Sequence, residues 1–462
     1  MSKPTRAPRH LPTRLKFGAA ASALALASTG CSLIVDFDEC AVDGDCGRLD
    51  TCSEGICQGP EYVEVTDFIV EDTTWTKDNI YVLKNVILVI QPATLTIEPG
   101  TLILGERDSA LVSQSGARIE AVGTREEPIV MTSAKPVGQR RAGDWGGLAL
   151  IGKARVNRDP MFLNIITNEE DAKVGGDDDA WDCGTLNYVR TEFGGGLIDG
   201  EKALNGLTLA GCGSETEVDY VQAHFGDDDG IEIFGGTVDL KHAVSSRPQG
   251  DAFDLDVGWR GKGQFWIAQL DVNGNEAIEI ENRGEEPTAA PQTDPQIYNF
   301  TVIGAEDGGG GQRGLIFKAG GLARLSHGIV MGMADAGVLV EGTESGAHVA
   351  GGRVVVENTL FYEVSGGVGL FTSDEDAAAE VDETTLTQNF TDAERGNTFG
   401  ADPGFSAPFD LGAPGLVPSP ENTTGVEIPR PPEGFDPTAV YLGALSPGNP
   451  AWTEGWTAYP KF

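Results

Sequence analysis

A short repeat constrains this chain more than any other feature. Gly226-Asp227-Asp228-Asp229-Gly230-Ile231-Glu232-Ile233-Phe234-Gly235-Gly236 runs from an acidic turn into a strand with apolar residues at alternate positions, and a Gly-Gly break ends it. The pattern returns at Asn205–Leu209, Asp251–Leu255, Glu276–Ile280, Arg313–Phe317, Ala336–Val340 and Gly366–Leu370. A small residue comes first, an inward apolar pair brackets one variable residue, and the copies lie about 22 to 25 residues apart where nothing is inserted, a solenoid period. The chain reads as a coil of stacked strands.

A solenoid grows by adding rungs, so 462 residues need not split into several globular domains. Gly 63 and Pro 25 favour turns and short strands, and no long amphipathic helical stretch stands out. Asp+Glu 71 against Lys+Arg 32 gives a net charge of −39. A surface this acidic repels phosphate backbones and anionic lipid headgroups, which argues against nucleic acid as a partner. Cations, neutral sugars and basic proteins remain compatible with it.

The first 30 residues read as a secretory signal. Lys3, Arg6, Arg9, Arg14 and Lys16 precede the apolar run from Phe17 to Ala27, which is too short to span a membrane, and Ser28-Thr29-Gly30-Cys31 follows. The stretch resembles a bacterial lipobox, which implies that Cys31 carries lipid and becomes the new N-terminus; Ser28 departs from the leucine usual there. Cleavage removes five basic residues and deepens the charge to −44, because 27 positive side chains then face 71 negative ones. Cys40, Cys46, Cys52, Cys57, Cys183 and Cys212 remain, an even set that points to three disulfides in an oxidising compartment. The first four lie in a Gly- and Asp-rich segment over 31–60 with no histidine, which reads as a stapled linker and not a zinc site.

The strands are expected over 61–371. Ile80–Ile90, Ala93–Ile97, Thr101–Leu104, Ala117–Val122, Pro128–Thr132 and Asp144–Gly152 build the first rungs, rich in β-branched and large apolar residues. A polar excursion from Asn157 to Asp182 interrupts the coil, and such insertions often lie on a binding face. Leu186–Phe193 and Val218–Phe225 match as strands of successive rungs, with Cys183 and Cys212 at similar offsets before them, so a rung-to-rung disulfide is the natural pairing. A second strand family follows at Val238–Val244, Gln264–Leu270, Ile297–Ile303, Ala323–Val330 and Arg353–Val364, giving each rung at least two strands. The spacer from Gly284 to Pro295 reads as another inserted loop. Residues 372–462 are acidic, then Pro-rich, and the apolar bulk of Tyr441–Leu445 and Trp452–Trp456 is expected to cover the open end of the coil.

Gly123–Ser133, Gly143–Gly152, Gly226–Gly236 and Trp452–Trp456 resemble a family of secreted bacterial proteins with a right-handed parallel β-helix of the pectate-lyase type. The resemblance covers most of Val63 to Phe462. It implies an all-β, single-stranded solenoid exposed at the cell envelope of a Gram-negative bacterium, on the outer membrane or secreted, and no established activity.

Read down its columns, the repeat stacks carboxylates. Between the inward pair stand Thr208, Glu232, Asp254, Glu279, Ile316 and Leu339; before the small residue stand Asn205, Asp229, Asp251, Glu276 and Arg313. Like charges one rung apart repel, and a cation, a shared proton, or splayed side chains with Arg260, Lys262 or Arg313 nearby would answer the repulsion. Ca²⁺ suits such a face because it takes many hard oxygen ligands and tolerates irregular geometry. Asp227, Asp228, Asp229, Glu232, Asp251, Asp254, Asp256 and Glu279 are the expected cation-binding face. The Ser326-His327-Gly328 stretch resembles part of the polygalacturonase set, but the accompanying Asn-Thr-Asp and Arg-Ile-Lys strands are missing, so His327 reads as an ordinary strand residue. Asp177-Asp178-Asp179 lacks the glutamate and spacing of an EF-hand loop and reads as a solvated loop.

The expectation is therefore a lipid-anchored, non-catalytic surface protein, monomeric, binding a polysaccharide or an outer-membrane protein. A Ca²⁺-dependent polysaccharide lyase or a glycoside hydrolase is the alternative, with Arg260 and Lys262 as the candidate bases, and a purely structural surface protein is the third reading.

Overall fold

The computed structural model describes residues 51–460 apart from 54–55, 164–171, 199, 201, 307–310, 365–382 and 422–427. The described residues up to Gln58 belong to one unit and those from Gly59 to another. In the first, the strands Thr51–Ser53 and Ile56–Gln58 pair antiparallel with Cys52 opposite Cys57. Cys31, Cys40, Cys46 and the Gly366–Leu370 repeat lie outside the described residues.

The second unit is a parallel β-helix whose rungs contribute to three ladders. One early rung shows all three sides as Thr94–Ile97, Leu102–Gly105 and Ala110–Ser113. The first ladder continues through Arg118–Val122 and the second through Ile129–Ser133. Both then run into one long strand, Gly184–Glu192, because Ile119 pairs with Gly184 and Ile129 with Val189. Long strands Glu217–His224, Asp239–Ser246, Lys262–Gln269 and Gln296–Ile303 follow in parallel register. The expected strands Ala323–Val330 and Arg353–Val364 each divide, into Ala323–Ser326 with Ile329–Met331, and Val354–Glu357 with Leu360–Tyr362.

The third ladder contains the repeat: Val86–Val89, Ala110–Ser113, Leu148–Ile151, Leu207–Ala210, Ile231–Phe234, Phe253–Asp256, Glu276–Glu281, Arg313–Lys318 and Ala336–Val340. Its alternating apolar pair points into the coil, where Ile231, Ile233, Phe253, Leu255, Ile278, Ile280, Leu315 and Phe317 are fully buried. The small residue that opens each copy is set by its neighbour rung. A Cβ on Gly230 would stand 1.9 Å from Ser245 Oγ and 2.9 Å from the Ala252 carbonyl; on Gly314 it would stand 2.6 Å from the Gly337 carbonyl.

A corner joins the first two ladders. Tyr188, Tyr220, His242, Phe265, Asn299, His327 and Asn358 occupy matching positions, all with φ between 46° and 62° except Phe265 at 64°. Left-handed backbone costs a residue with a side chain about 1–2 kcal/mol. Stacking offsets it here: ring centroids are 4.4 Å apart for Tyr188–Tyr220, 4.2 Å for Tyr220–His242 and 4.7 Å for His242–Phe265.

The end of the chain lies along this corner. Trp456 meets Tyr188 and Tyr220 edge-on, Trp452 meets His242, and Pro460 and Pro429 offer carbonyls to His224 and His327. The expectation that these last residues cover the open end is therefore corrected, because the apolar surface of Trp452 and Trp456 is taken up on the flank. The end is covered from within the same 372–462 segment by the helix Glu383–Thr391, whose Leu386 and Phe390 join the core. That helix packs on a second one, Thr343–Ala350.

Cys183 and Cys212 are bonded to one another between successive rungs, as expected, with Cα atoms 5.8 Å apart.

Candidate functional site

Strand pairing in the third ladder fixes which side chains share its outer face. Thr208 pairs with Glu232, Glu232 with Asp254, Asp254 with Glu279, Glu279 with Ile316 and Ile316 with Leu339. Upstream the same column holds Leu88, Val112 and Ala149. Three carboxylates thus stand in register between two apolar stretches. The upstream stretch is covered by the insertion, where Met161, Leu163, Ala172 and Val174 pack on it. The same insertion sends Asn157 Nδ2 to Asn282 Oδ1, 2.7 Å away.

The turn column lies beside the first. The carboxylate of Asp229 accepts from the Asp251 amide at 2.7 Å, and that of Asp251 accepts from the Glu276 amide at 3.0 Å. These bonds aim each turn acid at the next rung and bring the two columns together. Carboxylate oxygens of Asp229, Glu232 and Asp254 lie within 4.8 Å of one another, and so do those of Asp251, Asp254 and Glu279. Asp254 belongs to both groups. Its Oδ1 is buried and has no hydrogen-bond partner among the described residues, and the same holds for Asp256 Oδ1 two residues on.

Burial dominates the electrostatics. It holds Glu232, Asp251, Asp254 and Asp256 well above the usual carboxylate range, with neighbouring acids adding to the effect. Asp229 is pushed up to about 7 by the same cause. Glu279 is raised less, because Lys318 opposes the effect of burial. Adjacent ionised rungs, about 4.8 Å apart, repel by about 1 to 3 kcal/mol per pair for effective dielectric constants between 80 and 20. The column is therefore a site that gains from a proton or a cation.

Two protein groups already answer part of that charge. Lys318 Nζ stands 2.5 Å from Glu279 Oε1 and 3.4 Å from Glu281 Oε2. Burial works against the Lys318 charge, but Glu279, Glu281 and Asp254 outweigh it and raise its pKa above the usual lysine value. Arg313 binds Glu276 at 2.7 Å and Asp335 at 2.9 Å, and at the opposite end Asn205 Nδ2 donates to Glu232 Oε2.

The structure thus gathers Asp229, Glu232, Asp251, Asp254 and Glu279, with Asp256 next along the same strand. Asp227 and Asp228 join neither group: Asp227 is exposed at the turn, close to Gly143, and Asp228 is half-buried beside it. Lys318 and Glu276 were missing from the expected face. Register could have supplied both, since Glu276 pairs with Arg313 and Glu281 with Lys318.

Arg260 and Lys262 are corrected as candidate bases. Arg260 is held 3.2 Å from Asp179 and donates to the Gly258 carbonyl, while Lys262 begins a strand of another ladder. The same pairing corrects the reading of 177–179 as merely solvated. Burial opposes the Asp179 charge, but Arg260 and Arg155 prevail and lower its pKa, so the loop is pinned to the coil. His327 is a buried corner residue whose Nε2 lies 2.7 Å from the Pro429 carbonyl.

Stacked parallel ladders around one continuous apolar core define a parallel β-helix protein. The family described as a pectate-lyase like beta helix domain matches residues 67–457, and the chain belongs to that family. No match was found among the curated proteins or among the solved structures.

Proposed function

We propose that this is a non-catalytic binding protein of the bacterial envelope that holds a divalent cation on its carboxylate column and meets a glycan or an envelope partner through it. The observation that carries the reading is Asp254. It stands in register between Glu232 and Glu279 and has a buried, unpartnered oxygen where two groups of acids converge. Ca²⁺ is the best-matched ion, because the donors are all hard oxygens and their arrangement is irregular. Lipid on Cys31 would hold the protein at the membrane.

A lyase at this site would need a base beside the cation, and Arg260 and Lys262 lie elsewhere while Lys318 is held protonated by its acids. The test has two arms. Calorimetric titration of EDTA-treated protein with Ca²⁺ should give binding heat and a raised melting temperature; the absence of both would refute the cation reading. A panel of acidic and neutral polysaccharides should release no unsaturated or reducing ends. Release that Asp254→Asn abolishes would replace binding by catalysis.

A further inference from the structure

The carboxylate column is electrically asymmetric along its length. Among the described residues, the group of Asp229, Glu232 and Asp254 receives only neutral donors, the side-chain amide of Asn205 on Glu232 and the backbone amide of Asp251 on Asp229. The group of Asp251, Asp254 and Glu279 contains an ammonium, because Lys318 Nζ lies against Glu279 and Glu281. Lys318 is placed there by register. It pairs with Glu281, one outward position beyond Glu279, and its long side chain reaches back along the column. On the turn side, Arg313 of the next rung neutralises Glu276.

We infer that Lys318 is a built-in counter-ion that occupies the second group, so that the column takes one divalent cation, held by Asp229, Glu232 and Asp254. This rests on the cation reading given above. Asp254 can serve only one neighbour fully: an ion at each group would place two divalent charges about one rung apart, with fourfold the repulsion of two single charges at that distance. A tethered single charge at the Glu279 end avoids that contact and leaves the partnerless Asp254 oxygen for the ion. Asp256 lies two residues beyond Asp254 on the same strand, and its Oδ1 is likewise buried without a hydrogen-bond partner among the described residues.

The test counts bound Ca²⁺ by equilibrium dialysis of the purified chain. The wild-type protein is expected to bind one equivalent, Lys318→Met a second and weaker one at the vacated group, and Lys318→Met with Glu279→Gln one again. Glu232→Gln in the wild-type background should lower affinity at least tenfold, and this variant decides the assignment even if Lys318→Met fails to fold. One equivalent of unchanged affinity in folded Lys318→Met, two equivalents in the wild type, or undiminished binding by Glu232→Gln would overturn the inference while leaving cation binding intact. No binding by the wild-type protein would overturn both.

Discussion

Replacing Asp254 by Asn should make the cation-free protein more stable at pH 8, although the residue is largely enclosed. The shape is conserved, and the Oδ1 atom has no hydrogen bond to lose among the described residues. Two in-register neighbours, Glu232 and Glu279, each repel an ionised Asp254 by about 1 to 3 kcal/mol at one rung's separation. Part of this is already relieved, because burial and the neighbouring acids favour protonation and Lys318 attracts the charge, so a net gain of about 1 to 3 kcal/mol is expected. For a unit this large the shift in melting temperature is about 1 to 4 °C. With saturating Ca²⁺ the order should reverse, since the variant loses a ligand and with it the stabilisation by bound ion. Paired thermal melts in EDTA and in Ca²⁺ read both signs. A variant destabilised equally in both would refute the reasoning, because Asp254 would then be a structural acceptor and not a repelled charge.

Three further outcomes follow from the flank and the rungs. Cys183→Ser with Cys212→Ser opens a loop of sequence separation 29 and should cost about 3 to 4 kcal/mol, measured by denaturant unfolding against the oxidised protein. Trp456→Ala should cost about 3 to 5 kcal/mol locally, since the side chain is fully buried against Tyr188 and Tyr220 and Arg190 holds its carbonyl; limited proteolysis should clip the C-terminal segment and spare the coil. His224, pushed down to about 3 by burial, stays neutral in the fold while the unfolded chain takes up a proton near 6.5. Its stabilising contribution is therefore present above pH 6.5 and lost as pH falls toward 3, by up to about 1.4 kcal/mol per pH unit, and His224→Gln should flatten that part of a stability-against-pH profile.

The repeat was legible because its period records strand register directly. A small residue, an apolar pair and one variable position between them are what a rung needs when backbone passes under it on one side and the core lies on the other. Reading the variable positions as a column therefore placed Glu232, Asp254 and Glu279 correctly on one face. The same register adds Lys318, which lies outside the apolar bracket, two residues beyond Ile316. The stacked corner was hidden for a different reason. Tyr188, Tyr220, His242 and Phe265 adopt positive φ, where local preference favours Gly or Asn, and only their stacking and the covering Trp452 and Trp456 make that backbone tenable. Because that cover comes from more than 180 residues away, the apolar bulk near the end of the chain looked like a lid for the last rung.

The most direct test of the cation claim is anomalous diffraction from crystals of the protein soaked in a lanthanide that replaces Ca²⁺. One strong peak bounded by Asp229, Glu232 and Asp254 is expected, and a weaker one or none at Glu279, where Lys318 sits. A peak confined to exposed acids such as Asp177 and Asp178, with the carboxylate column free of anomalous density, would contradict it.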